Sequence, residues 1–401
     1  MRVLLVTDWN SNAGGAESYI IMLRDALIAG GDDVRLLACG AMLDELEPEE
    51  RIRGSDRVSA QTFLQIVNPF AVSHLRSVAR DFQPDVALVG HFAYHLSPAA
   101  LAALRGVPTI VSVMDYKCIC PLGTKLLPDG TLCSVRAGFV CRRNGCVSTA
   151  HWLRDRPRYA LMQTAMRRAD KVVCPSRWIQ RELAATGVRA EHIPLAVAPA
   201  SPAFRRAPTA TPVLLYCGRL SREKGVSLLI RAFARALYAV PEAHLQIAGD
   251  GPERSTLERL ASSLDIDDNV TFTGRLTRDR VEEEMAGAWA VVAPSLWAEP
   301  FGLIALEAIV HGVPVIASAT GGLAELVEHG VSGLLFPNGN ERALSECIRA
   351  VAESRAFPSK ALPAELVERA TRVSSPAGYA ASIRAMFSEL MSDTTVQLGV
   401  G

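Results

Sequence analysis

Long apolar runs are missing from this 401-residue chain. No stretch reaches the roughly 18 residues that a membrane-crossing helix needs. An excess of one charge is missing too: 42 basic side chains balance 42 acidic ones. That balance argues against a disordered or polyanion-coating protein and gives no footing to a nucleic-acid partner. The glycine-rich loop Ser11–Ser18, SNAGGAES, lacks the G-x-G-x-x-G spacing, which disfavours a dinucleotide fingerprint and with it a nicotinamide-dependent oxidoreductase. No DxD-like acidic pair stands in the loops after the predicted second-half strands, so metal-independent chemistry is expected. No CxxC pair occurs among the nine cysteines.

What is present is a globular composition, 49% apolar, in a chain too long for one ordinary core. Two domains are the prior. The start, MRVLLVTDWN, meets an aspartate after a short apolar run and reads as a first strand rather than a signal peptide. The expected compartment is therefore a reducing cytoplasm, which argues against a disulfide framework.

Short apolar strands alternate with amphipathic helices, the pattern of parallel α/β sheets. The predicted first-half strands are Val3–Thr7, Val34–Ala38, Val86–Val89, Thr109–Val113 and Lys171–Cys174, with helices starting near Gly15, Asn68, Ser97 and Ser148. The stretch Ala198–Pro212, APASPAFRRAPTATP, reads as a linker. Strands resume at Val213–Cys217, His244–Ala248, Val270–Thr273, Ala290–Ala293 and Pro314–Ala317. The fold class is two Rossmann-like, doubly wound α/β domains facing a cleft. Expected boundaries are 1–205, with a Cys-rich insert at about 117–147, then 206–375, then a final helix (377–391) and tail within 376–401 that cross back to the first domain.

The segment Glu299–Glu307, EPFGLIALE, carries the most chemistry. Two carboxylates eight positions apart lie a little over two helical turns apart and would share one helix face. The amides of Phe301, Gly302 and Leu303 would sit at a helix N-terminus, where anions bind. Phosphate-seeking amides beside hydroxyl-accepting acids suit a nucleotide sugar. After Val213–Cys217, the loop GRLSREKG places Arg219 and Lys224 at a strand end, where they could grip a diphosphate. AGDGP and TFTGRL follow at the ends of the next two strands.

This order of motifs resembles the retaining nucleotide-sugar glycosyltransferases of the GT-B type, in particular glycosyltransferase family 4. The resemblance spans nearly the whole chain and is strongest from Val213 to Phe336. It implies a hexosyl transfer from a nucleoside-diphosphate (UDP-type) sugar to an acceptor hydroxyl, with retention. It implies that Arg219 and Lys224 neutralise the pyrophosphate, that Glu307 binds the ribose hydroxyls, and that Glu299 contacts the donor sugar. The base would rest near Arg275 and Leu276, and Gly14 and Gly15 would bring backbone amides to the diphosphate and acceptor. His91 and Asp115 are the catalytic candidates of the first half. Family relatives often carry a histidine just before the aspartate of SVMDY, where this chain has Met114. Against this reading stand a GT-B epimerase and a non-catalytic nucleotide-sugar sensor. The acceptor is open: saccharide, lipid-linked or small molecule.

Three features admit more than one reading. Cys118, Cys120, Cys133, Cys141 and Cys146 crowd one segment; Cys120, Cys133, Cys141 and Cys146 could hold a structural zinc, remain free thiols, or form disulfides. Residues 136–171 contain nine basic side chains against Asp155 and Asp170, either a solvated surface or an attraction to an anionic acceptor or the inner membrane face. Phe63–Arg80 is either an apolar docking helix or a cover for the first core.

Overall fold

Runs of valine, leucine and isoleucine too short to be helices become parallel strands, because helical crossovers cover both sheet faces with apolar side chains. The computed structural model describes residues 1–8, 15–39, 50–52, 65–93, 96–201 and 206–398. Gly14 with the rest of 11–14, residues 63–64, and linker residues 202–205 lie outside these; so do the side chains of 15–18 and 39. The chain divides into two units: Met1–Pro128, Cys133–Ala196 and Pro376–Gly401 in one, Asp129–Leu132 and Val197–Ser375 in the other. The division falls at Ala196 rather than at 205, inside a buried stretch, Leu195–Val197, whose last amide bonds the Ser374 carbonyl at 3.0 Å.

The first unit runs β1 (Arg2–Thr7), α1 (Gly15–Ala29), β2 (Asp33–Cys39), β3 (Glu50–Ile52), α2 (Pro69–Phe82), β4 (Val86–Val89), α3 (Ala99–Ala103), β5 (Thr109–Ser112), α4 (Phe139–Arg143), α5 (Thr149–Arg168), β6 (Lys171–Cys174), α6 (Arg177–Ala184) and β7 (Glu191–His192). Its sheet is parallel, in the order β3-β2-β1-β4-β5-β6-β7. Val3–Val6 and Val86–Val89 are buried on both faces, as inner strands require. α2 starts at Asn68, whose side chain accepts the Ala71 amide at 3.0 Å, with Pro69 in the first turn. It buries Ala71, Leu75, Val78 and Phe82. The described part of Phe63–Arg80 therefore covers the core of its own unit.

The second unit runs β8 (Val213–Cys217), α7 (Val226–Leu237), β9 (His244–Ala248), α8 (Arg254–Ser263), β10 (Val270–Gly274), α9 (Arg278–Gly287), β11 (Ala290–Ala293), α10 (Leu303–Val310), β12 (Val315–Ser318), α11 (Leu323–Leu326), β13 (Gly333–Phe336), α12 (Glu341–Ala352) and α13 (Ala364–Val373). The parallel order is β10-β9-β8-β11-β12-β13. One apolar layer centres on Phe233, Leu229 and Ile348, the other on Val291, Ala305 and Val313. In each sheet the winding direction reverses once, between β1 and β4 and between β8 and β11. Loops at the carboxyl ends of such a reversal splay apart and leave a crevice for ligands.

The last helix, α14 (Pro376–Leu398), belongs to the first unit. Tyr379, Ala380, Ile383, Met386, Phe387 and Leu390 form its buried stripe at three- and four-residue spacing. Tyr379 donates to the Tyr19 hydroxyl at 3.0 Å, and Tyr19 in turn reaches Ser112 at 3.2 Å. Arg384 pairs with buried Asp32 at 3.1 Å and Lys171 with Glu389 at 2.6 Å. No helix among the described residues is long and apolar enough to cross a membrane. Phe387→Ala should destabilise the first unit by about 3–5 kcal/mol through the cavity it leaves, measured by urea unfolding.

Candidate active site

At the reversal of the second sheet, the loop after β8 meets the loop after β11. Gly225, at φ 71°, sits so close that an added Cβ would lie 2.1 Å from the Pro294 carbonyl oxygen. The Leu296 amide bonds the Glu223 carbonyl at 2.8 Å, fastening the two loops. On the far side Gly321, at φ 60°, comes within 2.5 Å of the Glu299 carbonyl oxygen by the same measure, and the Gly322 amide bonds that oxygen at 2.7 Å. The turn carrying Glu299 is thereby gripped from two directions by backbone alone.

Glu299 is buried, and its Oε1 accepts from Lys224 Nζ at 2.7 Å and from Ser295 Oγ at 2.6 Å. The Lys224 ammonium also lies 5.3 Å from the centroid of the Trp297 ring. Burial by itself pushes the Glu299 carboxyl up. The Lys224 charge and the hydrogen bonds from Lys224, Ser295 and Trp297 outweigh it and hold the group below its ordinary range.

Glu299 and Glu307 do not share a helix face. Gly302 is left-handed at φ 100° and α10 begins only at Leu303, so Glu299 stands in the turn before it. Among the described residues, no backbone hydrogen bond is donated by the amides of Phe301, Gly302 or Leu303. These amides are the positive end of the α10 dipole, next to the Lys224–Glu299 pair. Arg219, on the β8 loop, has its carbonyl held by the Tyr216 hydroxyl at 2.9 Å and its side chain exposed.

Glu307 lies one turn into α10, half-buried. Burial pushes its carboxyl up; Arg278 and His311 oppose that rise and buried Glu282 adds to it. Glu282 is itself 3.4 Å from both Arg278 and His311. Arg275 is exposed at the end of β10, and Leu276 rests half-buried against the β11–β12 side of the core. Trp289 donates to the Thr209 carbonyl at 2.9 Å and packs in the core. The contributions of Ser295, Gly225 and Gly321 escaped sequence reasoning. SATGG at 318–322, following a predicted strand, was the available signal for the last of these.

In the first unit the reversal brings β1 and β4 together, and the Asp8 amide bonds the His91 carbonyl at 2.7 Å. His91 Nδ1 lies 3.6 Å from Asp115 Oδ2, while Asp115 Oδ1 accepts the Lys117 amide at 2.7 Å. His91 Nε2 is buried without a hydrogen-bond partner among the described residues, and Met114 is buried beside Asp115. Gly15 opens α1, after β1.

Cys120, Cys133, Cys141 and Cys146 are all free thiols, and among the described residues no group of three or more His, Cys, Asp or Glu is arranged to hold a metal ion. Local turns fix the backbone around two of these cysteines. The Cys133 amide bonds the Lys125 carbonyl at 2.8 Å, and the Cys146 amide bonds the Cys141 carbonyl at 2.9 Å. Burial, with the neighbouring thiols adding to it, pushes Cys141 and Cys146 up.

Residues 13–199 match the family model Glycosyltransferase Family 4, and residues 199–373 match Glycosyl transferases group 1. The chain belongs to this glycosyltransferase family. The glycogen synthase of Mycobacterium tuberculosis is similar at 27% identity, over 89% of this chain and 87% of that protein. The alpha-D-kanosaminyltransferase of Streptomyces kanamyceticus is 34% identical over 31% of this chain. The first curated relatives, 34–39% identical, are covered over only 18–37% of their own length. Among solved structures, sucrose-phosphate synthase from Thermosynechococcus elongatus superposes with a TM-score of 0.77 at 22% identity, over 98% of this chain and 99% of that one. HepE from Anabaena, solved with UDP and with UDP-glucose, superposes at 0.67 with 20% and 18% identity, over 98% of this chain and 100% of that one. These likenesses establish the GT-B glycosyltransferase fold.

Within this glycosyltransferase, Lys224→Met should cost about 1–3 kcal/mol at neutral pH by leaving a buried carboxylate short of its cation. The sign follows from the depressed Glu299 group. In the parent it favours folding above its ordinary 4.5, and this stabilisation is lost as pH falls through the lower folded value. In the variant the Lys224 charge and hydrogen bond no longer oppose burial, so the group rises relative to the parent and the parent–variant gap should close on acidification. Urea unfolding across a pH series checks this.

Proposed function

We propose that this glycosyltransferase moves a hexosyl unit from a nucleoside-diphosphate sugar to an acceptor hydroxyl with retention of anomeric configuration. The observation that carries the reading is the unbonded amide trio of α10 beside Lys224, on a crevice whose rim also holds Arg219. A diphosphate needs converging donors and cations of this kind, and a leaving diphosphate needs them most. HepE from Anabaena, which shares this fold and was solved with UDP-glucose, supports that donor class.

In this reading Arg219 and Lys224 take the pyrophosphate with the amides of Phe301, Gly302 and Leu303. Glu307 accepts the two ribose hydroxyls, and the base lies along Arg275 and Leu276. Glu299 directs a sugar hydroxyl, its charge preserved by Lys224. As the glycosidic oxygen departs, negative charge grows on the phosphate where these fixed positive groups already point. The same-face acceptor hydroxyl can then give its proton to the leaving phosphate, so no strong protein base is required. His91 Nε2, with Asp115 orienting the ring through Nδ1, supplies a hydrogen bond of the first unit to the reacting sugar. That role fits a chain in which Met114 replaces a histidine. Gly15 admits the donor or acceptor to the backbone after β1.

A thermal-shift panel of UDP-, GDP-, ADP- and TDP-sugars should pick out one nucleotide, since a ligand present at a hundred times its Kd stabilises by about 2.7 kcal/mol. Arg219→Ala and Glu307→Ala should each weaken that donor roughly tenfold or more; undiminished shifts would remove them from the site. Anomeric NMR of the product tests retention, and donor binding with no transfer would favour a sensor.

Donor affinity should also fall on acidification. The ribose hydroxyls need an ionised Glu307, whose carboxyl titrates above its ordinary 4.5. Affinity therefore drops as pH descends through that raised value, sooner than for an exposed glutamate. Titration calorimetry across pH should show this limb in the parent and lose it in Glu307→Gln.

A further inference from the structure

Within residues 136–168 the chain holds eight arginines and one acid, Asp155. Arg158 is buried and donates to the Ala93 carbonyl at 3.2 Å. The other seven, Arg136, Arg142, Arg143, Arg154, Arg156, Arg167 and Arg168, are exposed. Among the described residues, the one ion pair formed with any of them is Arg154–Asp155 at 2.8 Å. A face so lopsided in a chain of zero net charge is a local field, not a bulk property.

The same face exposes large apolar side chains. Leu153, Pro157 and Leu161 recur every four residues on α5 and form one ridge, with Leu153 57% and Leu161 42% exposed. The opposite side of α5 buries Met162 and Met166, so the helix is apolar on both sides. At its N-terminal end Phe139 is 56% exposed and Val135 39%. The Phe139 ring meets Trp152 edge-on at 5.4 Å, with Arg142 over Phe139 and Arg156 over Trp152 at 5.4 and 5.0 Å. Apolar tips are thus ringed by guanidinium groups on long stems.

We propose that this α4–α5 face docks on the surface of an anionic lipid bilayer. Only such a surface satisfies both halves of the pattern at once. Phe139, Leu153 and Leu161 enter the boundary between headgroups and acyl chains, while the arginine stems lie along it and their charges stay among lipid phosphates. A soluble polyanion would engage the arginines and leave the ridge in water. α2, by contrast, turns Ala71, Leu75, Val78 and Phe82 into the core. The inference is independent of the donor assignment.

The test is co-sedimentation of the full chain with vesicles of phosphatidylcholine alone and of phosphatidylcholine with phosphatidylglycerol. Binding is expected to the anionic vesicles only, weakening as salt is raised. Each arginine near an anionic surface is worth about fivefold in partitioning. Arg154→Gln, Arg156→Gln and Arg168→Gln combined should therefore bind about a hundredfold more weakly. Phe139→Ser, Leu153→Ser and Leu161→Ser combined should lose binding while keeping the parent's thermal midpoint. Equal binding to neutral vesicles, or no vesicle binding by the parent protein, overturns the proposal whatever the variants do. Retention of dextran sulfate binding by the serine variant, with vesicles ignored by the parent, would assign the face to an acidic macromolecule instead.

Discussion

The second unit depends on two places where one backbone comes closer to another than any side chain allows. Gly225 and Gly321 hold the 294–302 turn between them. That grip decides which atoms of the turn face the crevice. It puts a carboxylate where Lys224 can meet it and leaves the amides of Phe301, Gly302 and Leu303 without a backbone acceptor among the described residues. A helix start with free donors would normally be capped by a side chain. Here Gly302 occupies the cap position and offers none. Stability is forgone at the point where a ligand would supply the missing acceptors.

Electrostatics then separates two acids of similar sequence context. Both glutamates are desolvated, yet one is held below its ordinary range by an ammonium and a hydroxyl, while in the other burial wins over the opposing charges of Arg278 and His311, with Glu282 adding to the rise. An acid kept charged suits a fixed orienting role. An acid nearer to taking a proton makes ligand capture responsive to acidity. The first unit uses the same topological device, a reversal of strand order, to bring β1 and β4 ends together at Asp8 and His91.

Much of this was legible before any coordinates. Runs such as Val86–Val89 and Ala290–Ala293 announce inner parallel strands, because nothing else short and uniformly apolar is buried on two faces. β3, β7 and β13 were not seen: the first two, at three and two residues, are too brief and too polar to show a period. The EPFGLIALE motif misled on its shape. An eight-residue spacing matches helical geometry, and only the left-handed Gly302 reveals that the first acid lies outside the helix. The cysteines were the opposite case. Ligand residue types were present without ligand spacing, and spacing alone did not show that Cys120, Cys133, Cys141 and Cys146 come near enough for their charges to act on one another. A partner as distant in sequence as Lys224, meeting Glu299 across 75 positions, carries no signature that a single chain could display.

The return of α14 to the first unit has a consequence for how the protein is made. Synthesis proceeds from the N-terminus, so β1 to β7 emerge long before Ile383 and Phe387, which fill the slot beside α1. Until α14 emerges, the earlier lobe carries an uncovered greasy furrow and an Asp32 without its Arg384 partner. The later lobe is nearly continuous in sequence and can settle on the ribosome first. Maturation order would then run against gene order, and a nascent chain stalled before residue 376 would be a client for chaperones.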